Sequence, residues 1–155
     1  MWKALQRYME LDAEARKLFW RAAIVLPLIS LSLRSRGFKQ TKKTLENRLR
    51  VAPPQRMLQG RPTQTVERTC RMLRAGAHYG LVQPTCLAES LALWYLLRKQ
   101  GLSADLRIGV RKESQKFQAH AWVEFEGAAL NQREEQHRHY AAFDSGSSDV
   151  PGDQR

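Results

Sequence analysis

QPTCLAESLALWYLLRKQG, residues 83–101, decides the fold. The spacing predicts a helix from Thr85 to about Lys99, with Pro84 just before it and Gly101 ending it. Leu87, Leu91, Trp94 and Leu97 fall close to one stripe, so this helix offers an apolar face. Cys86 stands in its first turn. Backbone N–H groups there lack intrahelical acceptors, and the helix dipole is positive at that end. Both favour thiolate over thiol, and the thiolate is the nucleophile. The same N–H groups can hold the oxyanion formed when a carbonyl is attacked. The plainer reading of Cys86 is a small buried residue at a helix start, and position alone does not separate the two.

Downstream of Gly101 the hydrophobic period changes from helical to alternating. ADLRIGVRK (104–112) places Leu106, Ile108 and Val110 on one face. FQAHAWVEFEG (117–127) places Ala119, Ala121, Val123 and Phe125 on one face and His120, Trp122 and Glu124 on the other. Glu126-Gly127 reads as a tight turn into a strand over Ala128–Gln132, and another short strand is expected around Tyr140–Phe143. His120 follows Cys86 by 34 residues, on a strand after the cysteine's helix. A sheet packed on that helix brings thiol and imidazole together. His78, His137 and His139 fall in loop or tail contexts and compete poorly as the base.

A third group must orient the imidazole. With a two-residue turn, the register puts Asn131 opposite Trp122, on the face of His120 and diagonal to it. A three-residue loop would put Gln132 there instead, and Glu124 shares the face two residues along the strand. An amide fixes the ring tautomer but stabilises imidazolium less than a carboxylate does. Trp122 either walls the site or packs in the core.

Upstream, Asp12 caps a helix expected from Ala13 to about Leu33, kinked near Pro27 and stopped by Gly37. A short basic helix is expected over Lys39–Leu49, and Val51–Arg61 is a Pro/Gly loop. A third helix is expected over Thr63–Ala75, with Val66, Cys70 and Leu73 on one face, so Cys70 reads as a core residue. His78 and Gly80 belong to the following loop. The run AAIVLPLISLSL (22–33) has 12 uncharged residues. A spanning helix needs roughly 20. It reads as a buried helix. Trp20, Arg21, Arg34 and Arg36 at its ends keep an interfacial reading open.

The organisation is helices first and a meander after, an α+β pattern. It divides into a basic helical region (1–50), a core (51–144) and a flexible tail (145–155), within one domain by length. The formal charge of +11 is uneven. Residues 1–76 carry 17 Lys/Arg against 5 Asp/Glu, and residues 77–155 carry 9 against 10. The first half therefore suits an acidic peptide, protein partner or anionic surface, or else is simply a solvated face. No nucleic-acid motif accompanies the charge. Two cysteines without CxxC spacing give neither a disulfide framework nor a metal site, so no cofactor is expected. With no secretory signal, a reducing cytoplasm is the expected compartment.

CLAESLALWYLLRKQG, ADLRIGVRK and AHAWVEFEGAALN, in that order, resemble the stand-alone leader peptidase of lasso-peptide biosynthesis. The resemblance is strongest over residues 83–132 and extends to the apolar, Arg-rich N-terminal helices. It implies a papain/transglutaminase-like core with the nucleophile helix packed on a small antiparallel sheet. It implies Cys86 as nucleophile and His120 as base. Family members often carry Asp just after the asparagine matched by Asn131, and this chain has Gln132 there. Papain-like enzymes orient the histidine with an asparagine, the role this reading gives Asn131. The implied activity is removal of the leader from a ribosomally made precursor peptide. The implied partners are that precursor, a separate leader-recognition protein and a cyclase resembling asparagine synthetase. Peripheral membrane contact is a further expectation; nucleic acid is not. The competing readings are a catalytically impaired scaffold of the same fold, a basic protein binding a membrane or nucleic-acid surface, and acyl transfer to an amine other than water.

Overall fold

The computed structural model describes residues 11–51, 61–79, 83–113, 116–131 and 141–143. Three helices precede four strands: α1 (Ala13–Val51), α2 (Pro62–Tyr79), α3 (Cys86–Lys99), β1 (Asp105–Glu113), β2 (Lys116–Phe125), β3 (Ala128–Ala129) and β4 (Ala141–Phe143). The strands form one antiparallel sheet in the order β3-β2-β1-β4.

Asp12 caps α1 as expected, its carboxylate accepting from the Ala15 N–H at 2.6 Å. The break in α1 lies at Gly37, not Pro27. Helical dihedrals run through Pro27, whereas Gly37 adopts φ 75°, ψ 176°. That conformation is essentially glycine-only. It turns the chain back on itself. The Ser32 and Thr41 hydroxyls meet at 2.8 Å, although nine residues of continuous helix would separate them by about 13.5 Å. Thr41 is buried and also donates to the Gly37 carbonyl at 2.8 Å, locking the elbow. So α1 is a hairpin of two limbs, residues 13–36 and 38–51. This is the helix pair the sequence implies, divided at the expected Gly37 but without the expected kink at Pro27.

The apolar run 22–33 is buried on one side only. Ala22, Leu26 and Ile29 enter the core, while Ile24, Leu28 and Leu31 stay exposed. Reading it as a buried helix captures half of it. By length and composition alone α1 is long and apolar enough to cross a membrane, yet its inner face is committed to protein packing.

α2 runs to Tyr79, a turn beyond the expected end, and takes His78 from the loop into a helix. Val66 and Leu73 are buried in the core as the periodicity requires, and Cys70 is partly buried against them. At Gly76 α2 crosses α1. A β-carbon there would sit 3.3 Å from both the Ala22 Cβ and the Ala23 nitrogen, so any larger residue would have to push the two helices apart by a few tenths of an ångström. Arg68 pairs with Asp12 and Glu14 at 3.1 and 3.2 Å, tying α2 to the start of α1.

α3 is the centre of the molecule. Residues 90–97 are buried all round the helix, not along a stripe, because α1 and α2 cover one side and the sheet the other. The hairpin turn is two residues, Glu126 (φ 50°) and Gly127 (φ 81°), and the register Phe125↔Ala128, Glu124↔Ala129 follows. β4 pairs with β1 opposite Ile108–Val110. The expected loop over 51–61 and tail after 144, and Gln132, His137 and His139, lie wholly or almost wholly outside the described residues.

Candidate active site

Thr85 is the N-cap of α3. Its side chain accepts from the Ala88 N–H at 3.3 Å, and its carbonyl takes the first helical bond from Glu89 at 3.0 Å. Cys86 is therefore the first helical residue, and it is exposed. The N–H groups of Cys86 and Leu87 come before that of Glu89, the first to donate within the helix, so they are free of the helix's own ladder. A thiol placed here meets those donors and the positive end of the helix dipole. Glu89 lies three residues on. Burial pushes its carboxyl up from the ordinary value, against the opposing pull of Arg74.

His120 sits on β2 opposite Gly109 of β1. Ala121, Val123 and Phe125 are buried on one face of β2; on the alternate face His120 and Glu124 are half-buried, while Trp122 is buried, at 2% exposure. The imidazole is half-buried, with its Nε2 out of reach of solvent. Burial lowers its pKa below the ordinary value, so the ring is neutral at pH 7 and able to accept a proton. Trp122 stacks beside it, ring centroids 6.3 Å apart and planes 14° apart. The Trp122 indole N–H donates to Glu124 at 2.9 Å, and the other Glu124 oxygen accepts from Arg107 at 3.0 Å. Glu124 therefore orients the tryptophan that walls the histidine; both its oxygens have these partners.

The join between helix and strand is made by two residues. β3 ends at Ala129, so among the described residues the outer edge of β2 has no neighbouring strand from Val123 back toward Lys116. The edge groups are satisfied one by one. The Val123 carbonyl accepts from the Leu130 N–H at 2.9 Å. The Val123 N–H donates to the Asn131 side-chain carbonyl at 2.9 Å. The Ala121 carbonyl accepts from the Ser90 hydroxyl at 2.8 Å, and Ser90 accepts from the Asn131 amide at 2.7 Å. Ser90 is one helical turn after Cys86, on the same side of α3. Ala121 is the neighbour of His120. Ser90, one turn into α3, is thus hydrogen-bonded to the residue next to the histidine on β2.

Asn131 differs from its expected placement. The register holds through Ala129, but the chain then leaves the strand, and the Asn131 amide turns to the strand edge and Ser90. Its hydrogen bonds go to Val123 and Ser90, not to His120. The short β3 is the reason: an amide two residues past the strand end is free to replace the missing backbone. Sequence reasoning missed Ser90. The available signal was a hydroxyl four residues after the cysteine, at the start of the helix's long apolar run.

The transglutaminase-like superfamily description matches residues 25–144, a span that includes Cys86, His120 and Asn131. The chain belongs to the transglutaminase-like superfamily. The three helices and small antiparallel sheet are consistent with the α+β fold of that superfamily, which includes cysteine proteases and transglutaminases. No curated protein and no solved structure matches the chain.

Proposed function

We propose that this transglutaminase-like protein is a cysteine peptidase that removes the leader from a ribosomally made lasso-peptide precursor. The observation carrying the reading is the Ser90 junction, which fastens the helix start bearing Cys86 to the strand bearing His120. His120 takes the thiol proton and the Cys86 sulfur attacks the scissile carbonyl. The helix-start N–H groups hold the oxyanion. The C–N bond then breaks, the leaving amine takes the proton from the imidazolium, and a thioester remains on Cys86. Water, giving a proton to His120, attacks the thioester and frees the leader carboxylate and the thiol. The new amine of the core peptide is the group an ATP-dependent cyclase needs to close a macrolactam. A separate leader-recognition protein presents the precursor, and the cytoplasm keeps the thiol reduced.

The test is cleavage of a precursor peptide with the leader-recognition protein present, followed by mass spectrometry. Wild type should release the leader, and Cys86→Ala and His120→Ala should lose at least 10³-fold in rate. Cleavage that survives Cys86→Ala overturns the proposal.

A further inference from the structure

An apolar groove of about 410 Å³ lies between the two limbs of α1 and the flank of α3. Ile24, Leu28 and Leu31 form one wall, and Leu45, Tyr95 and Leu96 complete the lining opposite. Around these sit Arg21, Arg36, Arg48 and Lys99, and no acidic residue lines it among the described residues. The wall is open to solvent: Ile24 is 56% exposed, Leu28 55% and Leu31 65%. Trp20, 56% exposed, continues the same line at i, i+4, i+8 and i+11. Scattered exposed apolar residues are ordinary, but a row of four beside a cationic groove is a recognition surface.

Three occupants can be weighed. A bilayer is flat and does not reach the floor of a groove, and α1 cannot leave the protein to span one because Ala22, Leu26 and Ile29 are in the core. A second copy of the chain brings the same cations to a two-fold contact and is repelled. An amphipathic helix fits both the concavity and the charge. Its apolar ridge lies along the Ile24–Leu28–Leu31 wall, and acidic side chains on its flanks meet the Arg and Lys groups. We propose that this groove docks an amphipathic helix of a separate protein, apolar on one face and acidic along its flanks.

The probe is a fluorescein-labelled peptide with Leu at i, i+3, i+4 and i+7 and Glu at the flanking positions, read by fluorescence anisotropy. It should bind wild-type protein and weaken as salt is raised. Leu28→Asp, and separately the pair Arg36→Glu with Arg48→Glu, should each weaken it at least tenfold. All three side chains are exposed, so melting temperatures should stay at the wild-type value. Three results overturn the proposal: no binding, equal binding of a scrambled or Lys-flanked peptide, or undiminished binding by the variants. Loss of vesicle flotation in the same variants, without peptide binding, also overturns it and assigns the surface to lipid. The readout is binding, so it stands or falls apart from the thiol chemistry.

Discussion

The Ser90 hydroxyl donates to the Ala121 carbonyl across 2.8 Å, and it is buried with no solvent to replace that bond. Next to Ala121 on the strand, and one turn before Ser90 on the helix, stand the two groups assigned to the chemistry, His120 and Cys86. A strand edge normally presents unpaired backbone, which must be covered or paired. Here the covering is done by polar side chains of the helix and of the segment after β3. The device that satisfies the edge also sets the distance between helix and strand.

Ser90→Ala should therefore destabilise the protein by about 2 kcal/mol or more, because it strands the Ala121 carbonyl and the Asn131 amide together, at about 1–3 kcal/mol for each buried group. Urea unfolding measures the loss. Cleavage by the folded fraction should also fall, since the helix start loses its anchor to β2. A loss under about 0.5 kcal/mol with unchanged cleavage would show that the edge is held by something else.

Asn131→Asp should be pH-dependent in an unusual direction. The new carboxylate still accepts from Val123, but its second oxygen faces the Ser90 oxygen, whose proton is committed to Ala121. Protonating the carboxyl restores a donor to Ser90. The melting-temperature gap between wild type and Asn131→Asp should narrow as pH falls from 7 to 4.5. A gap that widens would contradict this arrangement of donors.

Much of this site is legible in the sequence. The period change after Gly101 separates helices from sheet, Thr85 and Pro84 place Cys86 at a helix start, and the Glu126-Gly127 turn fixes the register of His120 and Trp122. The Asn131 contact is not legible, because it depends on β3 ending after two residues, a tertiary outcome with no local signature. The bend in α1 is half legible. Pro27 and Gly37 both break helices in principle, but proline removes one hydrogen bond, whereas a glycine at positive φ reverses the chain. The all-round burial of α3 is invisible to periodicity, since a helix covered on both sides has no apolar stripe to detect.

His120 gives a second pH signature. Burial holds its pKa below the ordinary imidazole value of about 6.5. Below that pH the unfolded chain takes up a proton that the folded protein resists, so the unfolded state binds more protons and stability falls as pH drops. Above it the contribution is complete and flat. In wild type the unfolding free energy should decline from pH 6.5 downward more steeply than in His120→Gln. Matching slopes in the two proteins between pH 6.5 and 5 would remove the burial argument.

Gly37 and Gly76 should both resist substitution, for opposite reasons that mutagenesis can separate. At Gly37 a β-carbon meets nothing within 4 Å, so the whole cost of Gly37→Ala is backbone conformation at φ 75°. That cost is about 1–3 kcal/mol, and no neighbouring change relieves it. At Gly76 the backbone is helical, and the cost is crowding against Ala22 and Ala23. Overpacking of this kind costs about 1–3 kcal/mol and is relieved when the neighbour shrinks. Ala22→Gly should thus recover part of the stability lost in Gly76→Ala, the Ala23 backbone keeping the rest, and should recover none in Gly37→Ala. Gly37→Ala should in addition loosen the Ser32–Thr41 elbow and shift the second limb of α1, weakening docking of the acidic helix at the groove. Rescue of Gly37→Ala by Ala22→Gly, or full-strength docking in Gly37→Ala, would refute the assignment of the elbow to this glycine's dihedrals.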